Sequence, residues 1–256
     1  MIPVAEEQPP PGDAVFSQTE TITRFDGRKL DIAFAVEPVV DLVRSAVAGY
    51  RIDPLLTDAA DGEPLAAAER MGLLASDMER VDLATLDRAL LRLEARADHG
   101  GDPPSLIVSI SFLSASNQRA RGKLMERPGP SREAVRRSVI WALTDVPDGA
   151  PAGRLAEITA LLRPFGRAVF AETRVNGAPM KLARTAGIAG LLMQPAGAAL
   201  SMTDSALWLL QAGRLAQRSA PALIAANLAA EDLFAMAGEA GFTHATVRPG
   251  AGRAAA

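Results

Sequence analysis

The sequence predicts an α/β fold, a TIM-like (β/α)8 barrel in which one strand runs antiparallel to the others. Three observations support this prediction. Eight short apolar runs recur along the 256 residues, segments with helical periodicity separate most of them, and the connection between the first two runs is too short to hold a helix. The main competing architecture is an open, doubly wound sheet, because a strand count from one sequence is easily wrong.

The predicted strands are runs of aliphatic and β-branched residues. They are residues 30–40, 46–52, 105–111, 138–144, 166–172, 188–194, 221–227 and 243–249. Because the LVRSA connection between the first two can form only a hairpin, these two strands are expected to be antiparallel.

The predicted helices show apolar residues at helical spacing with charged residues on the opposite face. The clearest is segment 79–100, which carries the stripe Leu83, Leu86, Leu90 and Leu93. Residues 150–163, 205–220 and 229–241 repeat the pattern. Together with the strands, these helices give the alternation that a barrel requires.

The chain is expected to consist of a flexible N-terminal extension, residues 1–28, and a barrel, residues 29–256. The first part of the extension is rich in proline and lacks periodicity. It has acids and prolines where a signal peptide would have a basic start and an apolar stretch. No apolar run approaches the roughly 18 residues that span a bilayer, and cysteine is absent. These features predict a cytoplasmic protein without a membrane span.

The charge balance argues against a nucleic-acid partner. The formal net charge is −3, whereas dedicated nucleic-acid binders usually have a basic balance. Residues 117–137 are a local exception, with seven arginines and lysines against two glutamates. The favoured interpretation of this basic segment is two solvated helix faces around a Pro-Gly-Pro loop, and the alternative is a surface for an anionic partner.

In a barrel of this type the chemistry is carried by side chains at the C-terminal ends of the strands. Here those positions hold Glu37, Arg51, Ser109, Ala142, Glu172, Gln194, Ala226 and Thr246. Two carboxylates are too few for a two-metal site, since hard cations require several oxygen ligands. Arg51 is expected to pair with Glu37 or Glu172 across the mouth of the barrel.

Several segments, in order along residues 30–250, resemble one family. They are VEPVVDLVRSAVAGYRI, EPLAAAERMGLLASDMERVDLATLDRAL, SLIVSISFLSAS, SVIWALTD, LLRPFGRAVFAETRV and ALIAANLAAEDLFAMAGEAGFTHATVRPG. The family is the EAL domain, a barrel phosphodiesterase that hydrolyses cyclic di-GMP with divalent metals. The resemblance implies an EAL-type barrel over nearly the whole chain.

The resemblance also implies that the family's site has been lost. The signature glutamate, a metal ligand, falls on Arg51, and the arginine that holds the nucleotide falls on Leu55. The strand of the catalytic lysine reads GLLMQP and contains no lysine. The other positions of the family's site are also replaced. The ligand asparagine falls on Ser109, the ligand glutamate of the fourth strand on Ala142, and the aspartate pair on Glu172 and Thr173. The glutamate of the seventh strand falls on Ala226, the glutamine of the eighth on Thr246, and the glutamine that opens the motif on Glu37.

We therefore expect a degenerate EAL-like domain with no catalytic residue, no cofactor and no metal site. Such members are typically signalling adaptors that bind transcription regulators or components of motility and cell-surface machinery. The Pro-rich N-terminus and the basic segment are the candidate contact surfaces, and the oligomeric state stays open. One alternative is a receptor that binds cyclic di-GMP without cutting it, which the losses disfavour. Another is an unrelated barrel enzyme centred on Glu37, Arg51 and Glu172.

Overall fold

The described part of the chain begins with antiparallel strands. The computed structural model describes residues 19–65, 69–70, 72–99, 102–195 and 201–247. Strand β1 (Glu20–Thr23) pairs with β2 (Lys29–Asp41), which pairs with β3 (Ala46–Asp58), and both pairings are antiparallel. The predicted hairpin is confirmed, because only four residues join β2 to β3.

Six further strands complete a closed barrel. They are β4 (Ser105–Ser111), β5 (Val139–Thr144), β6 (Ala168–Thr173), β7 (Gly190–Met193), β8 (Ala222–Leu228) and β9 (His244–Val247). Each pairs in parallel with the strand before it, starting from β3. Strand β9 then returns to β2 in antiparallel pairing, through Val40 with Ala245 and Asp41 with His244. An open sheet would lack this last pairing, so the barrel is confirmed and the doubly wound alternative is wrong.

Helices surround the barrel, and each of the four segments with helical periodicity contains one of them. They are α1 (Ala75–Asp98), α2 (Phe112–Ser116), α3 (Gln118–Glu126), α4 (Glu133–Ser138), α5 (Ala152–Leu162), α6 (Ala178–Ala186), α7 (Met202–Ala216) and α8 (Phe234–Glu239). The prediction for residues 229–241 is only partly right, because a 3₁₀ turn, Glu231–Leu233, precedes the short α8. None of the helices in these described ranges combines the length and the hydropathy needed to cross a membrane.

Alternation along the strands separates two apolar layers. On β4, Leu106 and Val108 point outward into the larger core between strands and helices, whereas Ile107 points into the barrel. The layer inside the barrel consists of Val39, Ile107, Ile140, Ala142, Phe170, Leu192 and Ile224. This apolar plug fills the interior of the barrel. The next inward-facing positions along the strands hold polar side chains, which therefore gather at the C-terminal end of the barrel.

Strand β1 lies inside the stretch assigned to the N-terminal extension, and the sequence analysis missed it. Ile22 is buried opposite Leu30, and Glu20 pairs with Arg88 of α1 at 3.0 Å. Four residues are too few for a periodicity to be recognised from the sequence. Residues 1–18 lie outside the described residues, as does the Pro-rich candidate contact surface that they contain.

The basic segment, residues 117–137, faces acidic residues of α1. Lys123 pairs with Glu79, Arg127 with Asp87 at 3.6 Å and Arg132 with Asp98 at 2.8 Å. The segment forms α3 and α4 around the Pro-Gly-Pro loop, as the favoured interpretation predicts. Much of its positive charge is therefore offset within the chain.

Candidate functional site

A polar layer lies above the apolar plug at the C-terminal ends of the strands. Strand β3 contributes Arg51 and Asp53, which are two residues apart and so share the inward face. Strand β2 contributes Glu37, the register partner of Arg51. Ser109 comes from β4, Glu172 from β6 and Thr246 from β9. Gln194 follows the end of β7, and Asn227 lies near the end of β8.

Arg51 is the centre of this layer. It is only 3% exposed, and its guanidinium contacts two carboxylates. Nε lies 2.7 Å from Oδ2 of Asp53, and Nη2 donates to Oε2 of Glu172 at 3.2 Å. Burial alone would lower the pKa of Arg51, but the attraction of Asp53 and Glu172 outweighs it and the pKa is raised. The expected pairing with Glu172 is present, whereas Asp53 was missed by the sequence analysis.

A chain of hydrogen bonds extends the layer across the barrel mouth. Gln194 Nε2 donates to Oε1 of Glu172 at 2.6 Å, and Asn227 Nδ2 donates to Oε1 of Gln194 at 2.6 Å. On the other side, Ser109 Oγ donates to Asp53. These bonds fix the two carboxylates that hold Arg51, so the arginine is locked in place by its neighbours.

Strand β8 supplies a different residue from the one predicted. Ala226 is buried, and a bulge between Ala225 and Leu228 lets the next residue, Asn227, reach the mouth. Asn227 adopts the left-handed region with φ 58°, which asparagine tolerates better than most residues. Simple alternation from the start of β8 cannot reveal this, because the bulge shifts the phase of the strand.

Glu37 is the least satisfied carboxyl of the layer. It is 4% exposed, accepts a hydrogen bond from the hydroxyl of Thr246, and has no partner for Oε2 among the described residues. Burial raises its pKa to about 7, in spite of the opposing attraction of Arg51. Burial likewise raises the pKa of Glu172. Near neutral pH, Glu37 is thus protonated in part of the molecules and ionised in the rest, so the net charge of the layer differs between them.

Two cavities that share several lining residues open at the mouth. The inner one has a volume of about 290 Å³ and is lined by the polar layer together with Leu55, which is 48% exposed. The outer groove has a volume of about 840 Å³ and has apolar walls that include Phe112, Leu113 and Pro179. Arg70 lies between the two and pairs with Asp145 at 3.0 Å.

Asp82 of α1 is a buried carboxyl beneath the mouth that the sequence analysis did not single out. It accepts hydrogen bonds from the backbone N–H of Ser111 at 3.1 Å and from its hydroxyl at 2.6 Å. Burial raises its pKa to about 6. Ser111 in turn caps α2 by accepting from the N–H of Ser114. This group joins α1 to the end of β4 and has a structural role.

Comparison with known structures finds EAL-domain proteins. The Bacillus subtilis YkuI protein, with an EAL domain in complex with the substrate c-di-GMP and calcium, matches with TM-score 0.59 and 15% identity over 82% of this chain and 52% of that chain. An EAL domain protein from Listeria monocytogenes EGD-e matches with TM-score 0.61 and 10% identity over 84% of this chain and 85% of that one. The FimX EAL domain from Pseudomonas aeruginosa, bound to c-di-GMP, matches with TM-score 0.57 and 13% identity over 84% and 88%.

These likenesses establish the fold, and the predicted EAL-type barrel is confirmed. This chain spans about half of the YkuI chain but most of the other two. No protein-family model and no curated protein matches the sequence.

Replacing Arg51 by leucine is expected to destabilise the protein strongly. The change leaves Asp53, Glu172 and Glu37 close together without a cation, and breaking a buried ion pair costs about 3–5 kcal/mol. The loss should be largest near pH 8 and smaller near pH 5, where the carboxyls with raised pKa become protonated. Urea unfolding at both pH values measures it. The control is Arg137→Leu, whose pair with Glu133 is exposed and should contribute at most about 1 kcal/mol. Equal losses for the two variants would contradict the central role of Arg51.

Replacing Glu37 by glutamine is expected to change how stability depends on pH. The pKa of Glu37 is about 7 in the folded protein and 4.5 in its ordinary state, so the folded protein binds the proton more tightly. The contribution of Glu37 to the free energy of unfolding should therefore fall by about 3 kcal/mol as the pH rises from about 4.5 to about 7, and then level off. Asp82 and Glu172, whose pKa values are also raised, add a fall of their own that the substitution leaves in place. Glu37→Gln removes this fall, so its stability relative to the original protein should increase with pH.

Denaturant titrations across this pH range test the expectation. Glu239→Gln, the same chemical change on an exposed residue of α8, should leave the profile unchanged. Parallel profiles for Glu37→Gln and the original protein would show that Glu37 is not the buried titrating group.

Proposed function

We propose that this chain is a catalytically silent EAL-fold domain that acts as a regulatory module through contacts with another protein. The observation that carries the proposal is the buried Arg51, whose guanidinium is held between Asp53 and Glu172 at the mouth of the barrel. A positive charge fixed among the acids at this place is incompatible with the chemistry that active EAL domains perform there.

The residues present do not fit the divalent cations of such a site. YkuI was solved with c-di-GMP and calcium. Here Arg51 already offsets the charge of the two carboxylates it contacts, and it would repel a cation placed beside it. Within the described ranges, no group of three or more histidine, aspartate or glutamate side chains is arranged to hold a metal ion.

The groups that would engage the nucleotide are also replaced. Leu55 presents an apolar side chain at the rim, where the resemblance expects an arginine. The segment GLLMQP, which forms β7 and the two residues after it, contains no lysine. Arg51 and Arg70 line the inner cavity, but each is paired with a carboxylate. A receptor for cyclic di-GMP, as the FimX domain suggests, is therefore disfavoured for this chain.

The proposed partner surfaces are two segments of the chain. We retain the Pro-rich stretch 1–18 and the basic segment 117–137 as candidates. Although α1 offsets much of the charge of the basic segment, exposed pairs of this kind contribute at most about 1 kcal/mol, so a partner's carboxylates can replace those of α1. We propose that the partner is a cytoplasmic regulator or a component of motility or cell-surface machinery.

A barrel enzyme with chemistry of its own is the second candidate. Glu37 favours it, because a carboxyl with a pKa of about 7 in a cavity suits acid–base catalysis. We rank it second because the remaining members of the layer are committed to one another: Asp53 and Glu172 hold Arg51, and Gln194 bonds Glu172 and Asn227.

Incubation with cyclic di-GMP and Mg²⁺ or Mn²⁺ tests the proposal. Chromatography of the nucleotide should show no turnover above a protein-free control, while an active EAL phosphodiesterase degrades it in parallel. Arg51→Glu is expected to remain inactive, because Ala142, Leu55 and Thr246 still lack the functional groups of the family. Turnover by the original protein would contradict the proposal. If Arg51→Glu hydrolyses the nucleotide and the original protein does not, then Arg51 by itself, and not the loss of the whole site, accounts for the lack of activity.

A further inference from the structure

A third cavity, with a volume of about 320 Å³, opens at the N-terminal end of the barrel, opposite the mouth. Its apolar wall is the underside of the plug, and Ile107, Ile140 and Phe170 are among its lining residues. Ile140 and Phe170 keep 9% and 8% of their surface exposed, although both belong to the plug. The interior of the barrel can therefore be reached by a ligand from this end.

The cavity exists because the inward-facing layer below the plug consists of small residues. The residue two positions before a plug residue lies on the same face of its strand. On β4, β6, β7 and β8 this position is the first of the strand, and it holds Ser105, Ala168, Gly190 and Ala222. Larger side chains at such positions fill the interior of a barrel in layers. Here the small ones leave the space open.

The charges at the opening leave one positive group without a carboxylate. Asp41 and Arg44 offset each other, because Oδ2 of Asp41 lies 2.8 Å from Nη1 of Arg44. Burial lowers the pKa of His244, so this side chain is mainly neutral near pH 7. Arg167 is exposed and pairs with no carboxylate among the described residues. The opening therefore favours an anion with a single charge.

Arg167 is held where it can meet such an anion. Its backbone N–H donates to the carbonyl oxygen of Val139 at 2.7 Å, which fixes the residue at the start of β6. Its Nη1 donates to Oγ of Ser105 at 3.2 Å, and Ser105 faces the cavity from β4. The guanidinium thus lies at the rim of the cavity, below the strand that carries Ile140.

We propose that this cavity binds a monocarboxylate with a short apolar tail. The carboxylate accepts hydrogen bonds from Arg167, whose planar guanidinium matches a carboxylate in geometry and charge. The tail covers the exposed surface of Ile140 and Phe170. A doubly charged anion is disfavoured, since Asp41 already holds Arg44. A cavity of about 320 Å³ suits a small molecule.

This site goes beyond the proposed function and does not depend on it. It lies at the end of the barrel opposite the mouth, and its positive group is not part of the cluster around Arg51. Binding of a carboxylate here is compatible with either a silent or an active mouth.

Hexanoate, 1-hexanol and hexylamine form a matched set of probes that share one tail and differ in the head group. Titration of the full chain near pH 7, followed by NMR, should give a dissociation constant for hexanoate of about 1 mM or tighter. The alcohol and the amine should bind at least about tenfold more weakly, because neither pairs with Arg167. Acetate should also lose at least about tenfold, since burial of two of the four additional methylene groups accounts for that difference.

Arg167→Gln is expected to weaken hexanoate binding by about tenfold. The control is Arg184→Gln, the same change on an exposed residue of α6 that does not line the cavity, and it should leave the affinity unchanged. Ala168→Leu enlarges an inward-facing side chain at the cavity and should weaken binding by at least about tenfold. Circular dichroism confirms that each variant is folded before it is titrated.

Three results would overturn the proposal. They are no binding of hexanoate, equal binding of 1-hexanol, and an unchanged affinity of Arg167→Gln for hexanoate. The last result would place any bound hexanoate elsewhere, for example on the apolar walls of the outer groove.

Discussion

The structure of the barrel mouth depends on one ion-pair cluster, in which buried Arg51 is held between Asp53 and Glu172. A guanidinium removed from water is stable only if carboxylates are close, and carboxylates removed from water need a cation in return. Each of these groups therefore requires the others. Gln194, Asn227 and Ser109 complete the arrangement by hydrogen-bonding the carboxylates or each other.

Under the proposed function, this cluster explains how an EAL-type barrel persists without the family's chemistry. The apolar plug of Val39, Ile107 and their neighbours supplies the packed interior and needs no polar group above it. The polar layer at the strand ends must nevertheless be neutralised in some way. In this chain the guanidinium of Arg51 supplies a positive charge that offsets the two carboxylates it contacts. Fold and function are separable here because they are carried by different layers of the same strands.

The sequence was sufficient to predict those features that follow from alternation and connection length. All eight predicted strands are present, because each is a run of aliphatic and β-branched residues, and the short link after β2 could form only a hairpin. The same alternation could have identified Asp53, which is two residues beyond Arg51 on one strand. Asn227 could not have been found in this way, since a bulge changes the phase of β8. Strand β1 was missed because four residues carry too little pattern.

The measurement that tests the central claim most directly is a calorimetric titration of the protein with cyclic di-GMP, with and without Mn²⁺. A mouth neutralised by Arg51 should show no binding tighter than about 10 μM (roughly −7 kcal/mol) in either condition, and Mn²⁺ should make no difference. Tight binding that requires Mn²⁺ would contradict the account, because it would mean that Arg51 leaves the acids free to hold a metal. Tight binding without Mn²⁺ would make the chain a receptor for the dinucleotide.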